Sequence, residues 1–214
     1  MKYFTLVIIY VVLVYSDCAA QSYIEPILGS RFALNNKVNK FLQLSFGTQY
    51  SFRKKRNYDI LLQCMISWPI SKSSTVQAYS TNPSLPEKVL VDKTVKPYTL
   101  TFALGHRLTI LGGDKKDNLA FLIYTGLVFE KITVNYAYDK SNYVVLNPDK
   151  TLIRASIFVS GGLEYQHKLP KGKIFGQILI ASPPFGGSIR YPSTFNFITA
   201  LSINLGYAIP LKKT

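Results

Sequence analysis

The feature that most constrains this chain is a long, strict alternation near its end. From Phe195 the odd positions read Phe195, Phe197, Thr199, Leu201, Ile203, Leu205, Tyr207, Ile209 and Leu211. The even positions read Asn196, Ile198, Ala200, Ser202, Asn204, Gly206, Ala208 and Pro210. A period of two places successive side chains on opposite faces of a strand. One face is large and apolar, with aromatic residues toward its ends; the other is small and largely polar. A soluble β-sandwich would turn long charged side chains to water on its polar face. Small polar residues opposite a greasy face suit a narrow barrel lumen backed by lipid. The segment also exceeds the 9–11 or so residues that a tilted strand needs to cross a bilayer.

Other segments repeat the pattern. Leu42, Leu44, Phe46, Thr48, Tyr50 and Phe52 alternate with Gln43, Ser45, Gly47, Gln49, Ser51 and Arg53. Tyr98 to Arg107 and Ile157 to Gln166 behave alike, and weaker alternation covers Ile24–Leu34, Tyr58–Trp68, Leu119–Phe129 and Ile174–Ala181. The expectation is eight strands over residues 22–34, 40–53, 58–70, 97–111, 118–130, 153–168, 172–183 and 195–211. An even count is what bacterial membrane barrels use.

The connections agree. With the N-terminus on the periplasmic side, the periplasmic connections are Lys54–Asn57, Gly112–Asp117 and Leu169–Lys171, all short. Three of the four outer connections, Ser71–Lys96, Glu130–Leu152 and Pro184–Thr194, are longer, and only Asn35–Asn39 is short. Short periplasmic turns with long outer loops mark a membrane barrel. Within the fifth connection Ile132, Val134, Tyr136 and Tyr138 alternate, Asp139–Asn142 reads as a turn, and Tyr143–Leu146 is apolar again. A hairpin extending strands five and six beyond the membrane is expected; the alternative is an extra strand pair, making ten.

The start of the chain points to export. Lys2 precedes a charge-free run from Tyr3 to Tyr15, then Ser16, Asp17, Cys18, Ala19 and Ala20. This is the order of a secretory signal peptide, residues 1–20, cut before Gln21 and leaving 21–214 as the mature domain. A helix over that run spans about 20 Å, short of the roughly 30 Å of a bilayer core. Cys64 is then the mature chain's one cysteine, so no internal disulfide forms. The net charge of +14 raises the question of nucleic acid, but no Lys/Arg tract or nucleic-acid motif accompanies it. An apolar fraction of 48% excludes disorder.

The leader ending Ala19-Ala20-Gln21, the small eight-stranded pattern and the closing strand Leu201-Ser202-Ile203-Asn204-Leu205-Gly206-Tyr207 resemble small outer-membrane β-barrel proteins of Gram-negative bacteria, the OmpA/OmpX-like, porin-superfamily barrels. The resemblance covers the whole mature chain and is one of pattern. It implies an all-β, antiparallel up-and-down barrel in the outer membrane. It implies outer-membrane lipids, periplasmic chaperones and the barrel-assembly machinery as partners. Many such barrels end on an aromatic residue, whereas this chain continues past Tyr207 to Thr214.

Some membrane barrels are hydrolases, which need a nucleophile, a base and a group orienting the base. The two histidines, His106 and His167, fall on lipid-facing parity near the periplasmic ends of their strands, without a neighbouring His-X-Ser arrangement. They read as interfacial side chains. Neither shows the close clustering with Cys or carboxylates that a zinc site needs. Gly161-Gly162 suggests a bend or bulge within a strand. No catalytic residue, cofactor or metal is expected.

The inward charges carry more. Parity turns Glu25, Arg31, Arg53, Asp59, Arg107, Glu130, Arg154 and Glu164 into the lumen. Charges in so narrow an interior must be paired or hydrated. Two layers are expected: Glu25, Arg53, Asp59, Arg107 and Glu164 toward the periplasm, and Arg31, Glu130 and Arg154 toward the outside. Eight strands leave room only for side chains, so a plug is favoured over a pore. Lys168, Lys171 and Lys173, with Arg53–Arg56, Lys212 and Lys213, read as a solvated positive rim at the periplasmic end, attractive to anionic headgroups. The expected role is structural or interactive, through the outer loops. A small-solute channel and a lipid-modifying hydrolase are the alternatives, and the extracellular ligand is left unidentified.

Overall fold

A computed structural model describes residues 21–34, 40–55, 57–70, 72–112, 115–146, 148, 151–182 and 199–211. The leader and the outer connections at 35–39 and 183–198 lie outside them. The strands are β1 Gln21–Leu34, β2 Lys40–Lys55, β3 Tyr58–Pro69, β4 Lys72–Ser80, β5 Lys88–Leu111, β6 Asp117–Ala137, β7 Tyr143–Val144, β8 Leu152–Leu169, β9 Gly172–Ser182 and β10 Thr199–Pro210. Eight of them, all but β4 and β7, form a ring of antiparallel neighbours. β1 closes it against β10, from Tyr23 opposite Pro210 to Leu34 opposite Thr199. β3 pairs with β5 from Tyr58 opposite Leu108 to Ser67 opposite Thr99. Closure leaves the ring without a free edge, which a strand in hydrocarbon requires.

Side-chain direction follows the alternation. On β10, Ile203 and Leu205 are 44% and 66% exposed on the outer wall, while Asn204 is 3% exposed inside. Leu28, Leu44, Phe102, Leu163 and Ile180 extend the same apolar outer band. So large an exposed apolar surface on a folded chain is a surface for lipid. Aromatic pairs mark its margins: Phe46 stacks on Trp68 at 4.4 Å toward the outer side. Tyr58 stacks on His106 at 5.7 Å toward the turns.

The interior is less polar than β10 alone suggests. Leu61, Ala103, Leu122, Tyr124, Phe158 and Leu179 form one buried cluster, and Tyr23, Ile27, Met65, Phe175 and Ala208 another. β3, β6 and β9 are thus apolar on both faces over part of their length, which is why their alternation is weak in sequence.

Three expectations are corrected. The connection Ser71–Lys96 is not a loop: β5 begins at Lys88, and β4 pairs with it from Lys72 opposite Val95 to Tyr79 opposite Lys88. β6 also runs beyond the ring, to Ala137 opposite Asp92. Second, the segment after the Asp139–Asn142 turn does not fold back on β6. It crosses the sheet and pairs with β4, Tyr79 opposite Val144 and Ser80 opposite Tyr143. The cause is an apolar inner face of the extension, where Ala78 and Val91 need a cover that Val145, Tyr136, Tyr138 and Tyr143 supply. The described residues form ten strands, but the added two belong to this outer sheet and the ring keeps eight. Third, Gly161-Gly162 carries no bulge, since β8 pairs with β6 and β9 without a register shift. A methyl on Gly162 would lie 1.9 Å from the Ile178 carbonyl oxygen, so close approach of backbones selects that glycine.

Candidate functional site

The first candidate is the lumen toward the periplasmic turns. Register assembles it: Asp59 on β3 stands opposite Arg53 on β2 and Arg107 on β5, and Glu25 on β1 stands opposite Gln49 on β2. Glu164 on β8 faces Gln177 on β9. All point inward on strands of a ring narrow enough for side chains to meet across it.

Arg107 is the hub. Its guanidinium donates to Glu25 at 2.8 and 3.1 Å, to Asp59 at 3.1 Å and to Glu164 at 3.0 Å. Its Nε also lies 2.7 Å from Glu164 Oε1, without the alignment of a hydrogen bond, so that contact is an ion pair only. Arg53 Nε pairs with Asp59 at 3.5 Å in the same unaligned manner. Arg107, Glu25 and Glu164 are buried almost completely. Charges so deep persist only where every one is partnered.

Neutral donors complete the layer. Ser51 donates to Glu25 at 2.7 Å, and Gln49 donates to it as well. Gln166 and Gln177 donate to Glu164 at 2.5 and 2.7 Å, and the Tyr124 hydroxyl donates to Gln49 at 2.7 Å. Lys173 does not belong to the solvated rim. It is 7% exposed, its Nζ lies 4.7 Å from the Tyr23 ring centroid and it approaches the Gln166 amide oxygen at 3.5 Å. With it, three carboxylates (Glu25, Asp59, Glu164) meet three cations (Arg53, Arg107, Lys173). The five residues expected toward the periplasm are thus brought together. The amides Gln49, Gln166 and Gln177 were passed over, although their inward parity was readable, and Lys173 was expected in the solvated rim instead.

Toward the outside, Arg31 reaches across from β1 to Thr99 Oγ1 on β5 at 3.4 Å. Buried Glu130 stands opposite that same Thr99 and, on its other side, opposite Arg154. The Arg154 side chain lies outside the described ones. Below Arg31 is a cavity of about 60 Å³ lined by Ser45, Ser67, Ser160, Ser202 and Asn204 with Met65 and Phe158. It has room for several waters.

Both histidines face outward. His106 Nδ1 lies 2.5 Å from the Tyr58 hydroxyl. His167 Nδ1 lies 2.6 Å from Asp117, whose same oxygen accepts from Tyr165 at 2.6 Å.

The second candidate is the outer sheet. β4 pairs along its length with β5, and β7 meets its other edge only at Tyr79 and Ser80. Among the described residues, no strand pairs with that edge from Lys72 to Ala78. Sheet edges in water are normally guarded by prolines, bulges or several charges. The run Ser73-Ser74-Thr75-Val76-Gln77-Ala78 has none of these.

No family model and no curated protein sequence matches the chain. Among solved structures, Neisserial surface protein A aligns with a TM-score of 0.52 at 9% identity, over 90% of this chain and 97% of that one. Ail, the attachment invasion locus protein of Yersinia pestis, aligns with a TM-score of 0.48 at 13% identity, over 90% and 99%. The N-terminal β-barrel domain of Pseudomonas aeruginosa OprF aligns at 0.38 and 8%, over 88% and 97%. The likeness to Neisserial surface protein A is one of fold, and it agrees with the closed ring and its apolar outer band: the architecture is an eight-stranded antiparallel β-barrel whose outer wall suits lipid.

Proposed function

We propose that this chain is an outer-membrane barrel that holds an interaction surface above the membrane and does not conduct solutes. The observation that supports it most is the outer sheet. β5 and β6 continue past the apolar band, β4 lies along β5, and among the described residues no strand occupies the β4 edge from Lys72 to Ala78. An extended partner segment binds such an edge through main-chain hydrogen bonds, with selectivity from alternate side chains. The Tyr138–Leu146 strap stiffens this sheet from the inner side, where Thr81 N donates to the Asn142 carbonyl at 2.8 Å. A rigid edge costs less to dock on than a mobile loop.

The lumen supports the second half of the reading. Around Arg107 the carboxylates Glu25, Asp59 and Glu164 are all engaged by its guanidinium, which leaves none of these three free to recruit a cation. No catalysis is assigned. The leader over 1–20, and passage through periplasmic chaperones and the assembly machinery, complete the proposal.

The test replaces the β4–β5 hairpin, residues 73–94, with a short turn. The variant should keep heat-modifiable gel mobility, while expressing cells lose adherence to surfaces that bind the parent. Equal adherence by parent and variant refutes the interaction role. Planar-bilayer recording should give no conductance steps; regular steps would favour the channel.

A further inference from the structure

The periplasmic rim of β6 and β8 carries an arrangement that neither the lumen layer nor the outer sheet uses. Asp117 and His167 face each other across these strands. The Asp117 carboxylate holds both the His167 ring, through Nδ1, and the Tyr165 hydroxyl. That leaves Nε2 as the ring nitrogen able to meet an outside group. One residue nearer the turns, Lys168 N donates to the Lys116 carbonyl at 2.7 Å, which sets these two lysines side by side. Lys115, Lys116 and Lys168 are exposed, and none forms an ion pair with a described residue. Toward the membrane centre, Leu119 stands opposite Tyr165 and Phe121 opposite Leu163 on the outer wall.

From the rim inward the wall therefore offers ammonium groups, then an imidazole and a phenol fixed by one carboxylate, then aliphatic and aromatic surface. A phospholipid standing in the periplasmic leaflet presents the complementary order: phosphate, ester region, acyl chain. Lysine stems are long enough to turn from the rim to a headgroup beside it. The one described carboxylate here, Asp117, is hydrogen-bonded to His167 and Tyr165, so among the described residues the rim carries more positive than negative charge.

We propose that this rim is a binding site for an anionic phospholipid, with Lys115, Lys116 and Lys168 on the phosphate and His167 and Tyr165 at the ester level. The proposal rests on the outer-membrane reading above. Asp117 is a positioning residue, since it acts through the ring and the phenol.

The test refolds the protein in zwitterionic phosphatidylcholine micelles and titrates phosphatidylglycerol while following the His167 ring resonances. The expected result is a saturable shift. The K115Q/K116Q/K168Q variant should weaken it about tenfold or more, since each lysine near an anionic surface contributes measurably. The K88Q/K131Q/K140Q variant removes the same charge from the outer end and should leave it unchanged. Equal weakening by the two variants overturns the proposal, because diffuse charge would then suffice. Saturation by phosphatidylcholine alone overturns it too. So does saturation by inorganic phosphate, which would mark a soluble-anion site. Heat-modifiable mobility separates the two levels: a chain that inserts but shows none of these shifts refutes this site alone, and one that never inserts refutes the membrane reading as well.

Discussion

Replacing Arg107 by Met removes the cation that three buried carboxylates share. Its four aligned hydrogen bonds run from 2.8 to 3.1 Å. At about 1.5–3 kcal/mol for each bond to a charged group, their sum sets a ceiling of roughly 6–12 kcal/mol. The true loss is smaller, because other donors stay. Glu25 keeps Ser51 and Gln49, Glu164 keeps Gln166 and Gln177, and Asp59 keeps Arg53. The expected cost is therefore about 3–5 kcal/mol, as when one member of a buried ion pair is removed. Glu164→Gln alone should also destabilise, and the double variant should cost less than the two singles added, by about 0.5–3 kcal/mol. Urea unfolding in lipid vesicles, with tryptophan fluorescence as readout, measures all three. A single-variant cost below about 1 kcal/mol, within the range of an exposed pair, would refute the reasoning. So would strict additivity.

Ile203→Arg places a cation midway along β10 on the lipid face and should cost about 2–4 kcal/mol by the same unfolding assay. Gly162→Ala drives a methyl into the Ile178 carbonyl and should cost about 1–3 kcal/mol, whereas Gly161→Ala, whose nearest neighbour lies 3.8 Å away, should be neutral or gain about 0.5–1 kcal/mol. In the outer strap, hydrogen bonds from Ser141 and Asn142 hold the Asp139 carboxyl below the usual aspartate range. A depressed value means that its contribution is present above the unfolded pKa and lost as pH falls through the folded one. Protection of the strap from a protease active in acid should therefore hold down to the ordinary aspartate range and fall below it; Asp139→Asn should remove that dependence.

The ring was legible because lipid and lumen impose opposite demands on alternate residues. β10 states both demands plainly, with Leu201, Ile203 and Leu205 outside and Ser202 and Asn204 inside. The charge layer was legible for a related reason, since Glu25, Asp59, Arg107 and Glu164 share the parity of those small residues. Leu61, Leu122, Phe158 and Leu179 were not: an apolar residue inside a barrel has the same letter as one outside it. Lys173 was hidden by its nearness to the Pro170–Lys171 turn, where a lysine normally finds water. The outer sheet was missed because its strands face water on one side only and a strap on the other, so Ser73–Ala78 lacks the large apolar members that mark a membrane strand. The partner of Tyr143–Val144 depended on Ala78 and Val91 needing cover, a tertiary fact that no local pattern carries.

The central claim is that one wall of each ring strand faces lipid and the other a closed interior. Single tryptophans placed in turn at positions 201–208 of β10, with Trp68 replaced by Phe, test it when the protein is refolded in vesicles of brominated lipid. Quenching should alternate, strong at 201, 203, 205 and 207 and weak at 202, 204, 206 and 208. Quenching that is uniform along the strand, or strong at the even positions, would contradict the account.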